Sequence, residues 1–168
     1  MKDSGTSGHG ENGTGRAPIG RRILVVEDSP SARRLMQALL LRLGATLPDL
    51  RLTSTATEAM QVFSQWRPEI VFLDMELRTP PDRSASAPGP ASSTSLPSNG
   101  AELALKFLER DPNVKIVMCS ASEPTRTPVA ELVRSGRMQA IVKPVLAAKV
   151  QQALDRMALT PEGPSRRR

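Results

Sequence analysis

The feature that most constrains the fold is a regular alternation of short apolar runs with segments of helical pattern. The apolar runs predict five strands, at residues 23–26, 50–53, 70–73, 114–119 and 140–142. Near-continuous apolar strands of this kind are typical of parallel sheets that are covered on both faces. The alternation therefore predicts an α/β fold with one parallel sheet and helices on both of its sides.

The segments between the strands carry signals for helix starts. Ser29 is placed to be an N-cap, with Pro30 at the first helical position. Leu35, Leu39 and Leu43 are expected to form the apolar face of this first helix. The later helices are predicted to begin at Thr55, Gly100, Val129 and Leu146.

Composition divides the 168-residue chain into one folded unit and three irregular parts. Residues 1–20 are mostly Gly, Ser, Thr and charged, which predicts a disordered tail, and residues 159–168 predict a basic disordered tail. Residues 78–99 are dominated by Ser, Ala and Pro, so we expect a flexible insertion there. The folded domain is expected to span residues 21–158.

Charge and hydropathy narrow the possible partners. The formal net charge is +6, but the arginines at 166–168 account for much of the excess, and no basic stripe carries interleaved aromatics. Nucleic acid is therefore an unlikely partner. No apolar run is long enough to span a bilayer, so we expect a cytoplasmic protein without a membrane partner. The single cysteine, Cys119, lies in an apolar run and is expected in the core.

Polar residues follow four of the predicted strands. Glu27 and Asp28 follow the first strand, Asp74 the third, Ser120 the fourth and Lys143 the fifth. In open α/β sheets, ligands bind at the carboxyl ends of the strands. Three carboxylates gathered there would repel one another unless a cation joined them, and oxygen ligands of this kind suit Mg²⁺.

This set of residues suits the transfer of a phosphoryl group. An aspartate beside Mg²⁺ can act as a nucleophile towards phosphorus, which gives Asp74 that role. Lys143 could pair with one phosphoryl oxygen, and Ser120 could donate a hydrogen bond to another. Each residue alone is commonly a turn residue, a helix cap or a surface lysine, so the joint placement carries the hypothesis.

From Arg22 to Met157, the chain resembles the receiver domain of two-component response regulators. The resemblance implies a flavodoxin-like, doubly wound (βα)5 fold with strand order 2-1-3-4-5, as in chemotaxis-type single-domain receivers. Asn99-Gly100 is similar to the pair that opens the third helix in this family. The matching motifs are Ile23-Leu24-Val25-Val26-Glu27-Asp28, Ile70-Val71-Phe72-Leu73-Asp74, Val117-Met118-Cys119-Ser120-Ala121 and Ile141-Val142-Lys143-Pro144.

The resemblance also implies roles for individual residues. Asp74 matches the phosphoacceptor, Asp28 the direct metal ligand, and Glu27 the second acidic residue, which usually acts through water. Glu76 matches the position whose backbone carbonyl also binds the metal. Lys143 matches the lysine that pairs with the phosphoryl group.

Ser120 matches the hydroxyl residue that moves onto the phosphoryl group in this family. The implied phosphodonor is a phosphohistidine on a histidine kinase or a histidine phosphotransfer protein. With little chain after Met157, the expected function is that of a stand-alone receiver that signals through protein contacts and is not an enzyme.

Departures from the family pattern leave two alternatives open. Ala140 stands where the family usually has Tyr or Phe, and Arg78 stands where it usually has Pro. Ala140 and the insertion leave open a pseudo-receiver, a binding module that keeps the fold and that phosphorylation does not switch. Asp74-Met75-Glu76 also resembles the nucleophile motif of haloacid-dehalogenase-type phosphatases, although in those enzymes the nucleophile follows the first strand.

Overall fold

The computed structural model of the chain describes residues 19–78, 97–123 and 128–159. Most of the two predicted tails, at 1–18 and 160–168, and most of the predicted insertion, at 79–96, lie outside the described residues. The elements, in chain order, are β1 (Ile23–Val26), α1 (Pro30–Arg42), a 3₁₀ turn (Leu47–Asp49), β2 (Leu50–Thr53), α2 (Ala56–Trp66), β3 (Ile70–Asp74), α3 (Gly100–Arg110), β4 (Lys115–Ser120), α4 (Pro128–Arg134), β5 (Met138–Val142) and α5 (Ala147–Leu159).

The five strands form one parallel sheet in the order β2-β1-β3-β4-β5, which confirms the flavodoxin-like fold class. The register aligns the strand ends. Val26 pairs with Leu73, and the next residue of β3, Asp74, pairs with Cys119 of β4. The carboxyl ends of the strands therefore meet along one edge of the sheet.

Two apolar layers cover the sheet. On one face, α2, α3 and α4 pack around Phe63 and Phe107, whose rings stack with their centroids 4.3 Å apart. On the other face, α1 and α5 pack around residues such as Leu40 and Val150. Cys119 lies in this second layer, as its apolar sequence context predicts. Because both faces are covered, every residue of the two strands β1 and β3 is buried.

The predicted apolar face of α1 is wrong at Leu35, which is 50% exposed. The buried residues are Met36 and Leu40, one position further along, while Leu39 and Leu43 are half-buried at the side of the core. Both stripes have helical spacing, and a leucine-rich helix does not distinguish them by pattern. Packing against the sheet selects the stripe that contains Met36.

The strand and helix ends differ slightly from the prediction. β4 begins and ends one residue later, and β5 begins two residues earlier, at the buried Met138, which pairs with Ile116. Because β5 is an edge strand, it tolerates the polar Gln139 that interrupts the apolar run. Leu146 precedes α5 and is 52% exposed.

Local capping explains where the helices begin. The Ser29 side chain accepts from the backbone N–H of Ala32 at α1, and Asn99 accepts from Glu102 at α3. Ile19, inside the predicted tail, donates its N–H to the carbonyl of Gly44 and packs against the core. No helix in the described part of the chain combines the length and apolar character that crossing a membrane requires.

Candidate functional site

Three carboxylates converge where β1 and β3 end. Each of Glu27, Asp28 and Asp74 has an oxygen within 4.8 Å of the corresponding oxygens of the other two. Asp74 is the last residue of β3, and Glu27 and Asp28 directly follow β1, its neighbour in the sheet. Asp74 is 4% exposed and Glu27 is 8% exposed, so two of the three charges are buried.

Lys143, which follows β5, reaches across the strand ends to these carboxylates. Its Nζ donates to Oδ1 of Asp74 at 2.9 Å and lies 3.9 Å from Oε2 of Glu27. The Lys143 backbone N–H donates to the carbonyl of Ser120 at the end of β4. This single ammonium contacts two of the three clustered carboxylates, so the cluster keeps a negative charge that the lysine does not balance.

The loop between β1 and α1 fixes the position of Glu27. The backbone N–H of Ser29 donates to Oε1 of Glu27 at 3.1 Å, and the Arg33 guanidinium donates to the Glu27 carbonyl at 2.7 Å. Asp28, which is half-exposed, accepts a longer contact of 3.4 Å from the backbone N–H of Arg78. Glu27 is thus held from its backbone and its side chain, whereas Asp28 stays open to solvent.

The electrostatics of the cluster show the cost of gathering these charges. Burial raises the pKa of Glu27 above its usual value, and the neighbouring charge of Asp74 raises it further. Burial acts to lower the pKa of Lys143, but the hydrogen bond and charge of Asp74 outweigh it and raise that pKa. Both shifts indicate a pocket that favours an additional positive charge.

The donor set fits a hard divalent cation. The candidate ligands are carboxylate oxygens, and no cysteine or histidine belongs to the cluster among the described residues. Mg²⁺ prefers oxygen ligands and commonly takes one or two carboxylates together with water. A half-exposed Asp28 leaves one side of the cluster open to such a hydrated ion. The acidic triad is therefore consistent with a Mg²⁺ site.

The remaining predicted site residues lie at the border of this cluster. Glu76 is exposed, and its backbone N–H donates to Oδ1 of Asp74 at 3.1 Å. Ser120 is 5% exposed, and its hydroxyl oxygen accepts from the backbone N–H of Ser122 at 3.3 Å. In this conformation the Ser120 side chain is engaged with its own loop.

A cavity of about 570 Å³ extends from the acidic cluster towards α1. The apolar part of its wall, which sequence reasoning missed, includes Ala32 and Met36 from α1 and Val145 after β5. Ser120 is absent from the described residues that line it. Ala32 and Met36 lie one and two helical turns after Ser29, which is the sequence signal that could have placed them near the site. Whether their side chains face the cavity depends on how α1 packs on the sheet.

Gly100 packs directly behind the cluster. A Cβ atom at this position would lie 2.0 Å from the backbone carbonyl oxygen of Asp74, a distance that no side chain can adopt. The first turn of α3 therefore approaches the end of β3 closely, and only glycine permits this. This contact explains the glycine at position 100, while Asn99 before it caps the helix.

The sheet order and the acidic edge together are those of response-regulator receivers, and the chain belongs to this class of domain. No family model matches the chain. It is 25% identical over 140 residues to chemotaxis protein CheY of Thermotoga maritima, which covers 83% of this chain and 99% of the relative.

Two solved receiver structures show the same fold. The non-phosphorylated HemR receiver domain of Leptospira biflexa has a TM-score of 0.63 at 19% identity, covering 86% of this chain and 99% of that one. The BeF3-activated DrrB receiver domain has a TM-score of 0.58 at 15% identity, covering 82% and 97%.

The chain is a CheY-like receiver domain, homologous to chemotaxis protein CheY over most of its length. Its cluster of Glu27, Asp28 and Asp74 is typical of the phosphoacceptor site in this family. Such domains act in two-component signalling, with the partners of those systems, and are generally not catalytic enzymes.

Proposed function

We propose that Asp74 accepts a phosphoryl group from a phosphohistidine on a histidine kinase or a histidine phosphotransfer protein. The observation that carries the proposal is the contact between Lys143 Nζ and Asp74 Oδ1 inside the acidic cluster. This contact supports the proposal because the buried Asp74 carboxylate is oriented and has a cationic partner beside it, as a nucleophile towards phosphorus requires. The site would lie in the cytoplasm, where we expect the phosphodonor proteins to be.

The chemistry follows from the positions of these side chains. One carboxylate oxygen of Asp74 forms a bond to phosphorus, while the P–N bond to the donor imidazole breaks and its electron pair stays on the imidazole nitrogen. The Lys143 ammonium then pairs with a phosphoryl oxygen. The Ser120 hydroxyl donates to another oxygen after turning away from Ser122.

We assign the metal ligands to Asp28, Asp74, Glu27 and the backbone carbonyl of Glu76. Mg²⁺ held there would supply positive charge to the phosphoryl oxygens. Asp74 is the nucleophile, and the contacts from Ser29 and Arg33 hold Glu27 in position. The Met75 N–H, which donates to the carbonyl of Cys119, fixes the backbone after Asp74.

We further propose that phosphorylation changes protein contacts on the surface formed by α4, β5 and α5. Ala140 lies on β5 and is half-exposed, so an aromatic residue cannot transmit the change at this position. Coupling would instead run through Ser120 and the loop from Ala121 to Pro128. Residues 124–127 of this loop lie outside the described residues.

The test is phosphorylation by a small phosphodonor. The protein is incubated with Mg²⁺ and acetyl phosphate, and its intact mass is measured. We expect a gain of one phosphoryl group that disappears in Asp74→Asn and after chelation of Mg²⁺. Asp111→Asn, at the end of α3, is the matched control and should be labelled like the wild type. Labelling that persists in Asp74→Asn would refute the site.

A pseudo-receiver is the alternative that one specific observation favours, namely the absence of an aromatic side chain at Ala140. Beryllofluoride, a mimic of the phosphoryl group, discriminates the two. A receiver that phosphorylation switches should, in its unphosphorylated form, bind beryllofluoride tightly in the presence of Mg²⁺, whereas a pseudo-receiver should not. The phosphatase alternative is disfavoured because Asp74 ends β3 and the acidic pair follows β1.

A further inference from the structure

Lys149 is an unexpected residue at its position in α5. It is the third residue of this helix, which begins at Ala147 and has no acidic residue in its first turn. The N-terminal end of a helix carries partial positive charge, so a lysine there is electrostatically unfavourable. A compensating interaction is expected, and the structure provides one.

The Lys149 ammonium binds two backbone carbonyls of the turn before its own helix. Its Nζ donates to the carbonyl of Val142 at 2.6 Å and to the carbonyl of Pro144 at 3.3 Å. Lys143 lies between these two residues in the sequence. The two contacts therefore span the segment that carries the site lysine. Hydrogen bonds from a charged donor are stronger than neutral ones, which offsets the unfavourable helix position.

Lys143 is therefore held from two directions. On the β4 side, its backbone N–H donates to the carbonyl of Ser120 at 2.8 Å. On the α5 side, Lys149 fixes the carbonyls on either side of it. Between these restraints the Lys143 side chain extends to Asp74, with a side-chain exposure of 29%. A long lysine side chain loses rotational freedom on ordering, so fixing its backbone lowers that loss.

We propose that Lys149 is a positioning residue that holds the turn between β5 and α5 and thereby aims Lys143 at Asp74. The inference rests on the proposed function insofar as Lys143 acts on the phosphoryl group. The contact between Lys143 and Asp74 exists in the unphosphorylated protein, so it is a readout that does not depend on phosphoryl transfer.

The experiment compares three variants of the full chain. Lys149→Met keeps the apolar stem and removes the donors. Lys149→Arg restores a cation whose several N–H groups can bridge two carbonyls. Lys106→Met, on α3 across the sheet, is the matched control because it removes the same ammonium group from another helix. Beryllofluoride affinity with Mg²⁺, the rate of labelling by acetyl phosphate and the NMR signal of the Lys143 ammonium are measured.

For Lys149→Met we expect beryllofluoride affinity and the labelling rate to fall by about tenfold, a typical effect of losing a group that orients a ligand-binding residue. The Lys143 ammonium signal should lose its protection from exchange with water. Lys149→Arg should recover most of each quantity, and Lys106→Met should match the wild type. A purely structural role would change the melting temperature without this recovery pattern.

Two results would overturn the inference. One is a Lys149→Met protein with wild-type affinity and an unchanged Lys143 signal, and the other is an equal loss in Lys106→Met. If the wild type itself takes up neither beryllofluoride nor phosphate, the proposed function fails, while the Lys143 signal still decides the role of Lys149. Should Lys149→Met not fold, Lys149→Gln carries the same comparison: affinity below Lys149→Arg supports the inference, and wild-type affinity overturns it.

Discussion

The interior of the sheet and its carboxyl edge are equally buried but differ in what they bury. Phe72 and Asp74 lie two residues apart on β3, and their exposures are 1% and 4%. Among the described residues, the buried polar and charged side chains all lie at carboxyl ends of strands; they are Glu27, Thr53, Asp74 and Ser120. The interior therefore stabilises the fold, whereas the edge places buried charges where chemistry needs them, at a cost in stability.

The largest effect is expected from breaking the interior. Phe107→Ala removes a fully buried ring that stacks on Phe63, so the free energy of unfolding should fall by about 3–5 kcal/mol. Urea denaturation measures this change. Glu109→Ala, at an exposed position of the same helix, should stay within about 0.5 kcal/mol. A loss below about 1 kcal/mol for Phe107→Ala would contradict the assignment of this layer as the core.

Gly100→Ala tests the contact between the two regions. The added methyl group meets the Asp74 carbonyl, so α3 or the end of β3 must shift, at a cost of about 1–3 kcal/mol. Because the shift reaches Asp74, labelling by acetyl phosphate should slow as well. Denaturation and labelling rate are measured on the same preparation.

The control for this substitution is Gly136→Ala. A Cβ there has no neighbour within 4 Å, but the φ angle of 75° makes it unfavourable by about 1–2 kcal/mol. It should lower stability similarly and leave labelling unchanged. Equal labelling rates in both glycine variants would show that the close approach of α3 does not bear on the site.

Removing one buried charge should raise the free energy of unfolding, whereas removing a buried ring lowers it. Glu27→Gln keeps an oxygen to accept from Ser29 and removes the repulsion with Asp74, so the metal-free protein should gain about 1 kcal/mol, or about 2–4 °C in Tm. The variant should also lose most of the stabilisation that Mg²⁺ gives the wild type. Thermal unfolding with and without Mg²⁺ measures both.

Glu109→Gln, an exposed glutamate on α3, serves as the control and should change neither quantity. A drop in metal-free stability in Glu27→Gln would mean that the Glu27 carboxylate stabilises the fold through Lys143. At this residue the carboxyl edge would then stabilise the fold, as the interior does.

The fold and the members of the site could be predicted because their signals are local. Each strand is a short apolar run, and the residues that end these runs, such as Asp74 and Ser120, must share an edge once the sheet is parallel. The family resemblance adds roles to these positions, whereas the geometry of Glu27, Asp28 and Asp74 comes from the structure.

What could not be predicted depends on contacts between distant segments. Leu35 and Met36 each begin a stripe of apolar residues with helical spacing, and only packing on the sheet decides which stripe is buried. Lys149 has the sequence character of a solvated surface lysine, and its two carbonyl contacts require the turn after β5. The constraint on Gly100 likewise arises from a strand that is remote in sequence.

The smallest expected effect is a change of stability with pH that the Glu27 carboxyl group causes. Burial and the Asp74 charge raise the pKa of Glu27 in the folded protein above its unfolded value, which lies near 4.5. The folded state therefore binds the proton more tightly, and the metal-free protein loses this contribution as pH rises through the raised pKa. Mg²⁺ binding needs the ionised carboxylate, so its stabilisation should grow over the same range.

Thermal unfolding between pH of about 4.5 and 8 with and without Mg²⁺ tests this dependence. The gap in Tm between the two conditions should be smallest at the acid end and widen with pH. In Glu27→Gln, the metal-free curve should lose the part of its fall that this carboxyl causes, while other carboxylates still contribute. A wild-type gap that is constant across the range, or a metal-free slope unchanged by the substitution, would show that Glu27 is already ionised throughout and that burial does not set its protonation.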